Sequence, residues 1–467
     1  MKKICLVFTG SQYESWNKNG IIDRLNQNFK LEIYIVNPKE KFESLGKNAK
    51  IVTVQDPGKV IRALYDINQI QNLGKSKSFV FRLKRMYFGP VDLKKYSWNT
   101  FIFYKILILK LRTCLGFSIR NLVLTVALFR IFNRILSIIL RVVFWNSLSR
   151  SRKKADNVFQ NSDAQLVIFP STGIELQVFN MLAMARISGK QTLITLENWD
   201  NLTSKSAFLF KPDFLTVMGL KMAFQAEQMY TLNSENIGIT GLPRFEKIID
   251  RSLKKNHHSR KSDDATPFKI LYLGFSLPYD EVTTINSITN LLIQRGDISN
   301  FTLTYRPHPF RQKRFIESKL TSHQNKNILI DHNHFGENRA VSKKLPLIQD
   351  NYIDNLFSYD VIITTPTTMA LEVMLLNIPT IIDGIDDQIH ITTPKNVLKS
   401  YLHLGDLSEI SNATISFTPQ NIVNNLVRIW SMPSREINYD LKRLFPLQST
   451  FTEAFVEFLQ NIQPQSK

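Results

Sequence analysis

Cysteine is almost missing: Cys5 and Cys114 are the only two in 467 residues. A disulfide framework is thereby excluded as the basis of the fold, and the chain suits a reducing compartment. Long hydrophobic runs are missing too, since none reaches the ~18 apolar residues that span a bilayer. The stretches 99–112 (NTFIFYKILILKLR) and 119–130 (IRNLVLTVALFR) are both interrupted by charge. The opening MKKICLVFTGSQYE has a basic tip, but its apolar run is shorter than the ~7–15 residues of a secretory h-region, and no small-residue cleavage site follows. It reads as a first buried strand, and the expected location is the cytoplasm. Also absent are a P-loop, a G-x-G-x-x-G fingerprint and a G-x-S-x-G elbow. The sequence therefore lacks the usual signals of a P-loop nucleotidase, a dinucleotide-dependent enzyme and an α/β-hydrolase.

Acidic residues are scarce in one region. Residues 82–154 hold 16 Lys and Arg and a single acid, Asp92, so this segment carries most of the net charge of +20. A nucleic-acid enzyme spreads basic residues along its working groove; here they sit in one block among long apolar side chains, and no nucleic-acid partner is expected. At about 100° per residue, residues 126–145 (VALFRIFNRILSIILRVVFW) place Arg130, Asn133, Arg134, Ser137 and Arg141 on one face. Ile, Leu, Val and Phe fill the rest. A wide apolar sector rimmed with arginine suits a helix lying in a lipid interface, with about 1 kcal/mol per arginine from anionic headgroups. The plainer alternative is a helical hairpin packed on its domain with solvated arginines. The expectation is peripheral membrane contact through basic amphipathic helices at about 100–154.

What is present is an alternation of short apolar strands and helices. Strands are expected at 3–8, 31–36, 165–169, 191–196, 213–218 and 236–240, with helices between. A second series begins after a polar linker, at 269–275 (KILYLGF), and continues through 301–309, 327–330 and 361–364. The length exceeds the usual ~250–300 limit for one core. The fold class expected is α/β, with two Rossmann-like doubly wound domains. The first covers 1–245 with a basic, mostly helical insertion at about 75–160. A linker follows at 246–266 and the second domain at 267–445, and a helix in 446–467 crosses back to the first domain. Ligands in such folds bind outside the carboxyl ends of the strands.

Four stretches carry chemistry. In YDVIITTPTTMALEVMLLNIPTIID (359–383) the strand VIIT meets a turn of threonines and a proline. Thr365 is the expected N-cap and Pro366 the first helical position. That places Thr367 and Thr368 in the first turn, where free N–H groups and the helix dipole favour an anion, a diphosphate above all. Glu372 lies one turn deeper on the same face, placed to accept from ribose hydroxyls; the bland alternative is one solvated or paired glutamate. In TYRPHPF (304–310), Arg306 offers a planar fork for phosphate oxygens. His308, fixed between two prolines, can donate to a phosphate or a leaving oxygen. TLENWDNLTSKS (195–206) groups Glu197, Trp199, Asp200, Asn201, Thr203, Ser204 and Lys205, an indole for sugar or base faces beside groups that bind hydroxyls. FPSTGIE (169–175) brings Ser171, Thr172 and Glu175 to the same rim, and Asp200 or Glu175 can serve as general base. Gly10, after the first strand, can let a ligand approach. The histidines 257, 258, 332 and 334 form no clean metal-ligand set.

Together GLPRFE (241–246), YRPHP (305–309) and DVIITTPTTMALEVMLLNIPTI (360–381) resemble the GT-B glycosyltransferase superfamily. The likeness is nearest to bacterial capsule and lipopolysaccharide transferases with a His-Pro motif and to CDP-glycerol glycerophosphotransferases. WDNLTSK (199–205) is similar to a string in that group, and the resemblance covers roughly 165–385. It implies that His308 sits near the donor phosphate, that Thr367 and Thr368 match the Ser/Thr pair of the phosphate-binding helix, and that Glu372 is the following acid. Arg244, with Gly241 and Pro243, closes the first domain and joins Arg306 and Thr365 on the donor side; Trp199, Asn201, Lys205 and Gly10 face the acceptor. Threonines stand where serines are common, and no second His-Pro-like element aligns, which leaves the donor open.

The function implied is metal-independent transfer of a sugar from a nucleotide-sugar to a glycan or lipid-linked acceptor. It would serve cell-surface polysaccharide synthesis at the inner face of the plasma membrane. No cofactor is expected, the nucleotide-sugar being a co-substrate. Asp200, Glu175 and His308 are the expected catalytic residues. The alternatives are a CDP-glycerol-type polyol-phosphate transferase, a nucleotide-sugar 2-epimerase and a non-catalytic membrane-bound scaffold of the same fold.

Overall fold

In the computed structural model the residues described are 1–38, 48–54, 76–88, 162–171, 176–205, 211–254, 266–308, 326–331, 350–432, 437–446 and 448–462, with positions 46, 73, 158–159, 208 and 320 beside them. The helix expected over 126–145, most of the basic insertion, Thr172 and Glu175 lie outside these residues, as do histidines 257, 258, 332 and 334. The chain divides into two compact units, Met1–Val80, Leu93–Arg244 and Arg443–Lys467 in the first, and Phe81–Asp92 and Phe245–Lys442 in the second.

Apolar residues with little polar alternation make the strands, those inside each sheet buried on both faces and those at its edges partly exposed. In the first unit they are β1 (Lys3–Thr9), β2 (Lys30–Val36), β3 (Ala49–Val52), β4 (Leu166–Ser171), β5 (Gln191–Leu196), β6 (Phe214–Val217) and β7 (Ile237–Ile239). Their order is β3-β2-β1-β4-β5-β6-β7, and neighbouring strands run parallel. Crossovers pass through α1 (Gly10–Lys18), α2 (Ile21–Asn28), α3 (Leu176–Ile187) and α4 (Leu220–Tyr230). The strand order reverses direction between β1 and β4, so the carboxyl ends of those two strands border the place where such sheets take ligands.

The second unit begins with α5 (Glu246–Leu253), which occupies the first part of the expected linker and buries Ile248 and Ile249. Its strands are β8 (Phe268–Leu273), β9 (Phe301–Arg306), β10 (Ile328–Ile330), β11 (Val361–Thr364), β12 (Thr380–Asp383) and β13 (Thr414–Ser416). They form a parallel sheet in the order β10-β9-β8-β11-β12-β13. Its helices include α6 (Glu281–Arg295), α7 (Asp350–Phe357), α8 (Thr368–Leu375), α9 (Pro394–Ser400) and α10 (Pro419–Trp430). Here the order reverses between β8 and β11. The architecture is α/β with two Rossmann-like parallel sheets of seven and six strands.

The chain then returns to the first unit with α11 (Phe451–Asn461), opened by a capping box between Thr450 and Glu453. Phe451, Phe455 and Leu459 are fully buried in one cluster with Trp16 and with Ile4, Leu6 and Phe8 of β1. Trp16 meets Phe451 and Phe455 edge-on at ring-centroid distances of 5.6 and 5.9 Å, an arrangement favoured by the aromatic quadrupole.

Candidate functional site

In the second unit the ends of three strands lie side by side, with Leu273 of β8 in register with Arg306 of β9 and with Thr364 of β11. The Gly274 N–H donates to the Arg306 carbonyl at 2.8 Å, so the first residue of the loop after β8 is tied to the last residue of β9. The half-buried His308 lies two residues beyond β9.

After β11 the chain stays extended longer than the sequence suggests. Thr367, at φ −144° and ψ 173°, is the N-cap of α8, and Thr368 is the first helical residue. Thr365 is therefore not the cap, and Pro366 precedes the helix instead of opening it. A residue with Thr367's backbone cannot belong to a first helical turn. Thr365 is fully buried, and its Oγ1 has no hydrogen-bond partner among the described residues. Thr367 and Thr368 are partly exposed, so these two hydroxyls stand at the helix start, where free N–H groups and the dipole favour an anion.

Glu372 is one turn further along α8 and only 1% exposed, which excludes the solvated reading of that carboxylate. The Tyr352 hydroxyl of α7 donates to its Oε2 at 3.0 Å and lies 3.3 Å from the Met369 sulfur. Arg306 is buried as well, and the fork expected to meet phosphate is partly committed. Its Nε donates to Asp331 at 2.8 Å and its Nη2 to Asn355, while Nη1 is buried with no hydrogen-bond partner among the described residues.

A second group of polar residues, which motif reasoning passed over, lies under the same strand ends. Asp383, at the end of β12, accepts from the Tyr272 hydroxyl at 2.5 Å, the Tyr279 hydroxyl at 3.2 Å and the Ile385 N–H at 2.8 Å. Glu281, at the start of α6, accepts from the Tyr305 hydroxyl and the Phe275 N–H. Burial pushes the Asp383 carboxyl up to about 6, against the opposing pull of its three hydrogen bonds. Burial and the neighbouring carboxylates also hold the Tyr272 and Tyr279 phenols well above their usual range. Asp387 accepts from the Asp280 N–H at 3.0 Å and pairs with His390 at 2.6 Å. The loops after β8 and β12 are thus fastened together by carboxylates. One signal was available in the sequence: Tyr272 and Tyr305 are each the penultimate residue of their apolar strand.

In the first unit, Gly10 opens α1 directly after β1. The Gln12 side chain accepts from the Thr9 N–H at 2.9 Å and donates to Glu197 at 3.2 Å. That buried bridge joins the start of α1 to the end of β5, on either side of β4. The segment after β5 then folds into a single π-helical turn, Asn201–Lys205, a device frequent at functional sites. Both the N–H and the hydroxyl of Ser204 donate to the Asp200 carbonyl, at 3.0 and 2.9 Å. The Asp200 carboxylate pairs with Lys205 at 2.6 Å, and Arg244 donates to Asn198 at 3.1 Å, which places Arg244 with this first-unit loop. Trp199 is 3% exposed and Asn201 fully buried. The indole therefore presents no open face. Glu175, the alternative base, lies outside the described residues. Among the described residues no group of His, Cys, Asp and Glu could hold a metal ion, and no helix is long and apolar enough to cross a membrane.

No protein-family model matches the sequence, and no curated protein matches it. Solved structures do. The UDP-GlcNAc 2-epimerase from Methanocaldococcus jannaschii superposes over 98% of this chain and 99% of its own, with a TM-score of 0.53 at 12% identity. The fold is GT-B. Two further structures align over nearly their whole length, with lower TM-scores. They are MurG from Acinetobacter baumannii (12% identity, 99% of this chain and 96% of that one, TM-score 0.42) and the lipopolysaccharide outer core galactosyltransferase WaaB (10%, 98% and 99%, 0.43).

Proposed function

We propose that this GT-B protein is a nucleotide-sugar enzyme, a glycosyltransferase that moves a sugar to a glycan or lipid-linked acceptor in cell-surface polysaccharide synthesis. The observation that supports it best is the start of α8. Two partly exposed threonines lie beside the place where the strand order reverses, with the buried carboxylate of Glu372 one turn further in. In this reading the diphosphate of the donor takes the helix N-terminus, Thr367 and Thr368. Arg306 Nη1 and His308 offset the charge that grows on the departing phosphate, and Glu372 accepts from the ribose hydroxyls. Asp200 or Glu175 takes the proton of the acceptor hydroxyl as the new C–O bond forms and the bond from the anomeric carbon to phosphate breaks. Gly10 and Lys205 border the acceptor side, while the buried Trp199 and Asn201 support the loop that Arg244 holds through Asn198. The basic block at about 100–154 would keep the enzyme on an anionic membrane surface.

A second reading has a specific observation in its favour, the fold likeness to a UDP-GlcNAc 2-epimerase. One assay separates the two. Purified protein is given UDP-, CDP- and GDP-sugars, first alone and then with a lipid-linked glycan fraction, while nucleotide release and sugar configuration are followed by NMR. A transferase leaves the donor intact until acceptor is added and then releases nucleoside diphosphate. Inversion at C2 of UDP-GlcNAc with no acceptor present would replace the transferase reading with the epimerase one.

A further inference from the structure

One short helix touches both of the buried charged groups named above for the donor. Tyr352 of α7 donates to Glu372 at 3.0 Å, and Asn355, three residues later, accepts from Arg306 Nη2. Residues three apart on a helix share a face, so a single surface of α7 reaches the carboxylate of α8 and the guanidinium of β9. Asp331, just beyond β10, fixes the other side of that guanidinium through Nε at 2.8 Å. The second contact of the Tyr352 hydroxyl, Met369 at 3.3 Å, belongs to the first turn of α8. The phenol therefore bridges the start of α8 and the acid one turn inside it.

A hydrogen bond to one oxygen of a buried carboxylate holds its plane and so orients it toward a ligand, as outer partners orient ligating groups elsewhere. We propose that Tyr352 is a positioning residue for the nucleotide. It sets the Glu372 carboxylate to receive the ribose hydroxyls, while Asn355 on the same face sets Arg306 toward the phosphates. The inference rests on the nucleotide reading of this site and adds to it a residue that acts through Glu372.

The test is calorimetric titration of UDP, CDP and GDP into the full chain. The tightest of the three is then compared with its 2′,3′-dideoxy analogue on wild type, Tyr352→Phe, Glu372→Gln and the double variant. Tyr352→Phe keeps the ring and removes only the donor. The expected loss for the ribonucleotide is about three- to tenfold in Kd, the scale of one ordinary hydrogen bond. The dideoxy analogue should bind wild type and Tyr352→Phe equally, and the double variant should be no weaker than Glu372→Gln alone. Equal weakening of both ligands by Tyr352→Phe would show a merely structural tyrosine and overturn the inference. So would unchanged binding of the ribonucleotide while the wild type still prefers it to the dideoxy form. Absence of binding to wild type by all three nucleotides would overturn the underlying site reading, and this inference with it.

Discussion

Gly274 and His308 approach so closely that a methyl group on Gly274 would stand 2.8 Å from the His308 backbone nitrogen. The same methyl would lie 3.0 Å from the Pro307 Cα and 3.1 Å from the Arg306 oxygen. All three are backbone atoms, which cannot swing aside as the end of a long side chain can. Gly274→Ala should therefore push apart the loops after β8 and β9. Overpacking of this kind costs about 1–3 kcal/mol, to be read from urea unfolding, and nucleotide affinity should fall with it. Unchanged stability and affinity would show that the two loops do not pack as described.

Asp200 and the residues proposed to hold the nucleotide, Thr367, Thr368 and Glu372, belong to different compact units, so their contributions should separate kinetically. Asp200→Asn keeps the shape and removes the proposed base. In a transfer assay the turnover should fall about 10²–10⁴-fold, with the Kd for donor nucleotide unchanged. A rate close to wild type would move the base to Glu175.

Asp383 makes stability depend on pH in an unusual direction. Its carboxyl is pushed up to about 6 from 3.8, so between those values the folded protein holds a proton that the unfolded chain has released. Stability from this group is complete below pH 3.8 and is lost as pH rises through 6. The amount is on the order of 3 kcal/mol. Asp383→Asn cannot titrate. The difference in unfolding free energy, wild type minus variant, should therefore shrink as pH is raised from 4 to 7. A difference that stays level across that range would show that Asp383 does not titrate there.

Phe455 should be the most sensitive position of α11. It is fully buried and stacked on Phe451 at 5.1 Å, with Trp16 against its edge. Phe455→Ala removes a fully buried ring and should destabilise the first unit by about 3–5 kcal/mol. Fluorescence quenching by acrylamide should rise at lower denaturant than in wild type, as Trp16 becomes accessible. An unmoved transition would mean that α11 contributes little to the first core.

Most strands were legible because parallel strands covered on both faces are written as apolar runs such as ICLVF and VII, whereas the short, partly exposed β3 and β13 carry no such run. The start of α8 was misread for an instructive reason. A threonine followed by proline does open α9 and α10, where Thr393 and Thr418 accept from the N–H groups of Asn396 and Asn421. At Thr365-Pro366 the same pair is followed by a third residue fit to cap, Thr367, and local pattern cannot choose between the two. The pairing of Arg306 with Asp331 and of Glu372 with Tyr352 joins residues 25 and 20 positions apart. Such partners are set by strand order and helix placement, and no motif spells them. The buried acids Asp383 and Glu281 were passed over because nothing in their immediate sequence marks them as enclosed.

The return of α11 to the core of the first unit has a consequence during synthesis. Most of the second unit is one continuous stretch, Phe245–Lys442, whereas the first takes up Arg443–Lys467 as well. A ribosome therefore delivers the main body of the second unit whole before it releases the side chains that close over Trp16. The unit translated first is the last to be finished. Until α11 emerges, the apolar surface of β1, α1 and α2 that it later covers stays open to water and to chaperones.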